Sequence, residues 1–177
     1  MLAEKLGQIG GKDMTEEMTN LNKESFGFEE ELEEIEDDTD YVRYLTFMTD
    51  GLVFGVSSEN VVEIINNHVI RPIPLVPNYV MGVINLRGQI VPIVDMRLRM
   101  NKEFKEYNAR TCTIILNIDS NIIGVVVDSV QQVLDIDMNS VSPMPIKDNL
   151  ELTNSMIQVD GSVILLLECG ELVHNQP

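Results

Sequence analysis

The side chains of this chain that could do chemistry are few and scattered. Asp95 and Asp128 each close an apolar run, Cys112 and Cys169 sit inside such runs, and His68 and His174 lie far apart in sequence. Catalysis needs a nucleophile, a base or a metal held in mutual reach. The sequence has no GxSxG elbow, no HExxH and no GxxxxGK[ST] phosphate loop. Carboxylates at strand ends commonly accept backbone N–H bonds from the turn that follows. That is the reading of Asp95 and Asp128, and a small enzyme using the pair in a cleft is the alternative from another class. His68, before Val69-Ile70-Arg71, reads as a cap or bridge at a strand end. Free thiols in apolar runs behave as small hydrophobes. A disulfide between the two stays open, whereas no CxxC or Cys/His cluster supports a metal site, and no cofactor is expected.

One charged group is better placed. In Gly82-Val83-Ile84-Asn85-Leu86-Arg87-Gly88-Gln89-Ile90-Val91-Pro92-Ile93-Val94-Asp95, two apolar runs are joined by a turn carrying a lone guanidinium. Gly88 supplies a residue able to take positive φ, which predicts a tight β-hairpin with Val83-Ile84 and Ile90-Val91-Ile93-Val94 facing a core. Arg87 is thereby lifted to a rim. A planar, permanently charged group on a rigid turn suits bidentate or stacked recognition of a partner surface; a merely solvated arginine at a hairpin tip is the other reading.

The elements that must hold this turn are short strands. From Tyr41 onward, runs rich in Val, Ile and Thr are punctuated by Gly, Pro, Asn and Asp, the texture of an all-β domain. Hairpins are predicted at 41–48 with 52–56 around Asp50-Gly51, at the Arg87 turn, at 111–118 with 122–128, and at 156–159 with 162–168 around Asp160-Gly161. A further strand spans 130–136. Ser57 or Ser58 caps a short helical turn leading into Glu63-Ile64-Ile65. The prolines of Arg71-Pro72-Ile73-Pro74-Leu75-Val76-Pro77 confine that segment to an edge or a crossing loop, and 97–110 reads as an exposed loop before a second half of the chain. Turns about every ten residues, in two groups, predict two small β-barrels sharing one core, with short helical turns.

Composition narrows the partners. The formal charge is −17, of which residues 1–40 carry −11 and the remainder −6. Such a surface repels phosphates and argues against nucleic acid; the absence of Trp and the few Phe argue against an oligonucleotide-binding barrel. Residues 1–40, ending in Glu29-Glu30-Glu31-Leu32-Glu33-Glu34-Ile35-Glu36-Asp37-Asp38, have the composition of a disordered acidic extension, although Phe28, Leu32 and Ile35 share a helical spacing. No basic-then-apolar leader and no apolar run of about 20 residues is present, which predicts a cytoplasmic, soluble protein without direct membrane insertion.

Together, Gly82-Val83-Ile84-Asn85-Leu86-Arg87-Gly88, Ile90-Val91-Pro92-Ile93-Val94-Asp95, Phe54-Gly55-Val56, Val61-Val62-Glu63-Ile64 and Ile123-Gly124-Val125-Val126-Val127-Asp128-Ser129-Val130 resemble, in order and spacing, the CheW-type coupling proteins of bacterial chemotaxis. The resemblance covers roughly residues 41–173. It implies two five-stranded β-barrel subdomains around a shared hydrophobic core, over a domain spanning 41–174. It also implies a non-catalytic adaptor joining the cytoplasmic tips of methyl-accepting chemotaxis receptors to the regulatory domain of the histidine kinase CheA in membrane-associated arrays. Adaptors of pathways for pili, development or cyclic dinucleotide signalling are the alternative. By the same resemblance, Arg87 with Asn85 and Leu86 forms the receptor contact, and Val61, Val62, Glu63 and Gly82 belong to the kinase or receptor surface. Glu63 as an ordinary strand carboxylate and Val61 as core remain open. The acidic extension exceeds the family's usual short leader. The end of the chain soon after Glu171-Leu172-Val173 disfavours relatives that append a receiver domain.

Overall fold

In the computed structural model, residues 40–66, 68–144 and 152–173 are described. The expected acidic extension, except Asp40, lies outside them. Eleven strands follow in order among the described residues: β1 (Tyr41–Thr49), β2 (Leu52–Ser57), β3 (Val61–Ile65), β4 (Val80–Leu86), β5 (Gln89–Asp95), β6 (Cys112–Ile118), β7 (Asn121–Val127), β8 (Ser129–Asp137), β9 (Ser142–Pro143), β10 (Thr153–Val159) and β11 (Ser162–Leu167). One helical turn, α1 (Met96–Arg99), follows β5, and α2 (Cys169–Val173) follows β11.

The four predicted hairpins are present, and each closes by the same means. The two residues joining β1 to β2, β4 to β5, β6 to β7 and β10 to β11 all have positive φ: Asp50-Gly51, Arg87-Gly88, Asp119-Ser120 and Asp160-Gly161. Such turns match the right-handed twist of the strands they connect. Ser57 also caps as expected, its hydroxyl accepting from the Glu59 N–H at 3.4 Å at the start of a 3-10 turn over Ser58–Asn60.

The strands form two sheets, in the orders β8-β1-β2-β11-β10-β9 and β3-β6-β7-β5-β4. The fold is all-β with paired subdomains, as the sequence implies; one sheet gains a sixth strand, the two-residue β9. The sheets do not divide at loop 97–110. Hairpin β1–β2 joins the C-terminal strands through a parallel pairing of β2 with β11, and hairpin β4–β5 joins the later hairpin β6–β7 through a parallel pairing of β5 with β7. Each seam contains a glycine. A Cβ on Gly124 would lie 2.5 Å from Ile93 Cδ1, and one on Gly55 would lie 3.2 Å from Leu166 Cδ2. The similar Phe54-Gly55-Val56 and Ile123-Gly124-Val125 motifs thus serve equivalent places, where side chains of neighbouring strands pack closely over the glycine.

Three apolar clusters account for the near-continuous hydrophobic runs. Cys112, Ile114, Leu116 and Ile118 of β6 join Phe47, Phe54, Leu165 and Leu167 of the other sheet in one core between the sheets. The alternate residue Ile115 turns inward with Ile65, Ile84, Val91, Ile93 and Val126. In the six-stranded sheet, Ile164 and Leu166 turn inward with Ile136 and Ile157. Since successive side chains point to opposite faces, strands covered on both faces must be apolar at every position. Phe47 and Phe54, register partners on β1 and β2, stack with centroids 5.5 Å apart in the shared core.

Candidate functional site

Arg87 stands at the tip of the β4–β5 hairpin with its side chain 80% exposed and its backbone at φ 50°. The turn is specified locally. The Asn85 side-chain oxygen accepts from the Gly88 N–H at 2.9 Å, and Leu86 packs half-buried against the interior of the five-stranded sheet. Of the three residues expected to form one contact, Arg87 therefore projects, Asn85 shapes the turn and Leu86 anchors it. Ile90, expected to face a core, is exposed, because Val91 and Ile93 already take the inward positions.

The guanidinium is directed by a second strand. Arg87 Nη2 donates to Glu63 Oε2 at 3.0 Å, although β3 and β4 are opposite edges of the sheet. The ion pair thus spans the opening of a strongly curled sheet and fixes the direction of a long side chain. Glu63 is the carboxylate partner of Arg87 in this pair. Val61 packs half-buried against the shared core, while Val62 and Ile64 of the same strand are exposed. Beside the hairpin, Gln89, Ile90 and Pro92 line an open concavity with Ser120, Asn121, Ile122 and Ile123.

Gly82 sits where two backbone segments meet. Its φ is +137°, and a Cβ there would lie 2.1 Å from the Arg71 carbonyl oxygen. Arg71 and Val83 exchange both backbone hydrogen bonds at 2.9 Å, which lays the proline-rich crossing segment along the free edge of β4. The glycine lets that backbone approach and so supports the Arg87 hairpin from behind.

A polar cluster lies where the two sheets meet. Arg97, in α1, donates through Nε to Asp128 Oδ1 at 2.9 Å, through Nη2 to Asp128 Oδ2, and through Nη1 to Asp50 Oδ1 at 2.6 Å. Asp128 Oδ2 also accepts from the Asp50 N–H at 3.0 Å. The hydrogen bonds from Arg97 hold the Asp128 carboxyl below its usual range against an opposing desolvation effect. Asp95, 2% exposed, caps α1 by accepting from the Leu98 N–H at 3.1 Å and takes the Tyr107 hydroxyl at 2.8 Å. Burial, followed by that carboxylate, pushes the Tyr107 phenol far up. Asp95 thus accepts an N–H of the turn that follows it, as the sequence predicts, whereas Asp128 accepts instead from the distant β1–β2 turn, because the fold brings Asp50 beside it. The expected loop at 97–110 begins instead as a helical turn, with Arg97 only 13% exposed, because Met96 and Met100 anchor it in the shared core. The sequence reading missed the Arg97 cluster, whose sole linear trace is an arginine two residues after Asp95.

His68 Nδ1 lies 2.9 Å from the Asn66 carbonyl oxygen. Cys112 and Cys169 are buried and free; burial raises the Cys169 thiol to about 11 against a weaker opposing hydrogen bond from Asn60. Among the described residues, no group of three His, Cys, Asp or Glu is placed to hold a metal, and no helix is long and apolar enough to cross a membrane.

The described residues thus combine paired curled sheets, a projecting guanidinium and carboxylates engaged in turns and ion pairs. The CheW-like domain model matches residues 43–176. The chemotaxis protein CheW of Klebsiella aerogenes is 33% identical over 102 residues, covering 58% of this chain and 61% of that protein. The protein of the same name from Helicobacter pylori is 24% identical over 140 residues, covering 78% of this chain and 85% of its own. In structure, the scaffolding protein TtCheW from Thermoanaerobacter tengcongensis matches with a TM-score of 0.69 and 26% identity, over 73% of this chain and 90% of that one. The chain belongs to the CheW-like domain family.

Proposed function

We propose that this protein couples the cytoplasmic tip of a methyl-accepting chemotaxis receptor to the regulatory domain of a CheA-type histidine kinase, in arrays beneath the membrane. The observation that carries the reading is Arg87: 80% exposed on a two-residue turn, aimed by Glu63 from another strand, in a chain of the CheW-like family. A receptor tip built as a helical hairpin offers side-chain oxygens and an apolar stripe. Arg87 meets the oxygens, and Val62 and Ile64 of β3 and Ile90 of β5 are exposed hydrophobics available to the apolar stripe. Asn85, Leu86 and Gly82 act through the hairpin, and Val61 through the core beneath β3. Coupling then requires no chemistry from the adaptor: it biases the kinase's conformational equilibrium by holding kinase and receptor in one assembly.

The test is binding of a receptor cytoplasmic fragment, measured by calorimetry on wild type and Arg87→Asp. A loss of at least about tenfold in affinity, in line with removal of a central charged contact, supports the reading. Equal affinity in a folded variant removes Arg87 from the receptor face.

A further inference from the structure

The loop between α1 and β6 differs in charge from the rest of this acidic molecule. Residues 97–110 carry five Lys or Arg against two Glu, in a chain of net charge −17. Arg97 is consumed by Asp50 and Asp128, while Arg99 donates to the Glu171 carbonyl oxygen at 2.7 Å and lies over the Tyr79 ring. Lys102, Lys105 and Arg110 are all exposed, and no ion pair engages any of them among the described residues, whereas Arg43 and Arg87 each hold a carboxylate. Between them, Phe104 is 53% exposed and meets the partly exposed Tyr107 edge-on at 5.5 Å.

This loop is also held in shape. The Lys102 N–H donates to the Arg97 carbonyl at 2.8 Å, and the Tyr107 hydroxyl is fixed to buried Asp95. Asn108 and Thr111 close a turn in which the Asn108 N–H reaches Thr111 Oγ1 at 3.0 Å and the Arg110 N–H reaches Asn108 Oδ1 at 2.9 Å. The connection from α1 to β6 is longer than most in compact domains, aromatic residues and arginine are enriched at interfaces, and a pre-set backbone lowers the cost of ordering on binding.

We propose that loop 101–111 is a docking surface for an acidic protein segment with an apolar anchor. Lys102, Lys105 and Arg110 meet its carboxylates, and the Phe104–Tyr107 pair receives the anchor. Glu103 and Glu106, interleaved with the cations, favour a discrete peptide over a continuous polyanion, and the surrounding negative charge disfavours an anionic membrane or nucleic acid. The surface is separate in sequence from the Arg87 hairpin, so the inference does not rest on the proposed coupling role.

The test uses the full chain and a short fluorescein-labelled Glu-rich peptide with a central Phe, followed by anisotropy. Saturable binding is expected, weakened at least about fivefold by Lys102→Glu with Lys105→Glu, and again in about 0.5 M salt. Phe104→Ala is expected to weaken it about threefold or more. Arg43→Glu, which alters an exposed charge on the other sheet, is expected to leave it unchanged. No saturable binding, or equal binding by all variants, overturns the proposal. Loop-dependent binding to phosphatidylserine vesicles with none to the peptide also overturns it and gives the loop to a membrane surface.

Discussion

Arg87 occupies a backbone conformation that L-residues other than Asn and Asp seldom adopt. Replacement by Asn therefore relieves strain while removing the guanidinium, and the exposed pair with Glu63 stabilises by no more than about 1 kcal/mol. Arg87→Asn is expected to shift the urea midpoint by less than the equivalent of about 1 kcal/mol while abolishing receptor binding. Exchanging the pair, Arg87→Glu with Glu63→Arg, preserves the ion pair but moves the cation from the tip to the strand. That double variant should remain folded and fail to couple, and coupling by it would show that the pair matters only structurally. Gly82 contrasts with Gly124. At Gly82 the obstacle is backbone and φ is positive, so Gly82→Ala should cost more than about 2 kcal/mol in denaturant unfolding. At Gly124 the obstacles are side-chain ends, Ile93 Cδ1 and Thr113 Cγ2, and Gly124→Ala should cost about 1–2 kcal/mol.

Among the elements, the hairpins were legible and the junctions were not. Asp50-Gly51, Arg87-Gly88 and Asp160-Gly161 announce their turns in the residues themselves, because turn chemistry is local. The seams of β2 with β11 and β5 with β7 join distant segments and leave only one glycine per seam, Gly55 and Gly124, as a trace. The same limit hid Arg97, whose partners come from the β1–β2 turn and the β7–β8 junction. Its effect on stability has a definite sign. Asp128 has a lower pKa folded than unfolded, so its contribution is complete above the unfolded value and is lost as pH falls through the folded one. Urea midpoints should therefore decline as pH falls below about 4. Asp128→Asn should be less stable at pH 7 and decline less steeply; an acid limb as steep as that of wild type would refute the assignment. Arg97→Gln, which leaves Asp50 and Asp128 facing each other, should cost about 2 kcal/mol at neutral pH.

At the scale of the molecule, sharing one core between two curled sheets makes strands such as β6, β7 and β11 largely apolar on both faces, which leaves turns, strand ends and edges as the main places where polar groups can differ. The Arg87 hairpin, the β3 edge and loop 101–111 are such places. The rim position of Arg87 was readable from one turn, whereas its aim was not, since Glu63 reaches it across the sheet opening. The most direct measurement is the phosphorylation rate of a cognate CheA-type kinase mixed with receptor cytoplasmic fragment and this protein, with Arg87→Asp in parallel. Strong activation by the wild type that the folded variant loses is the predicted result. No activation by the wild type, or full activation by the variant, would contradict coupling through the hairpin tip.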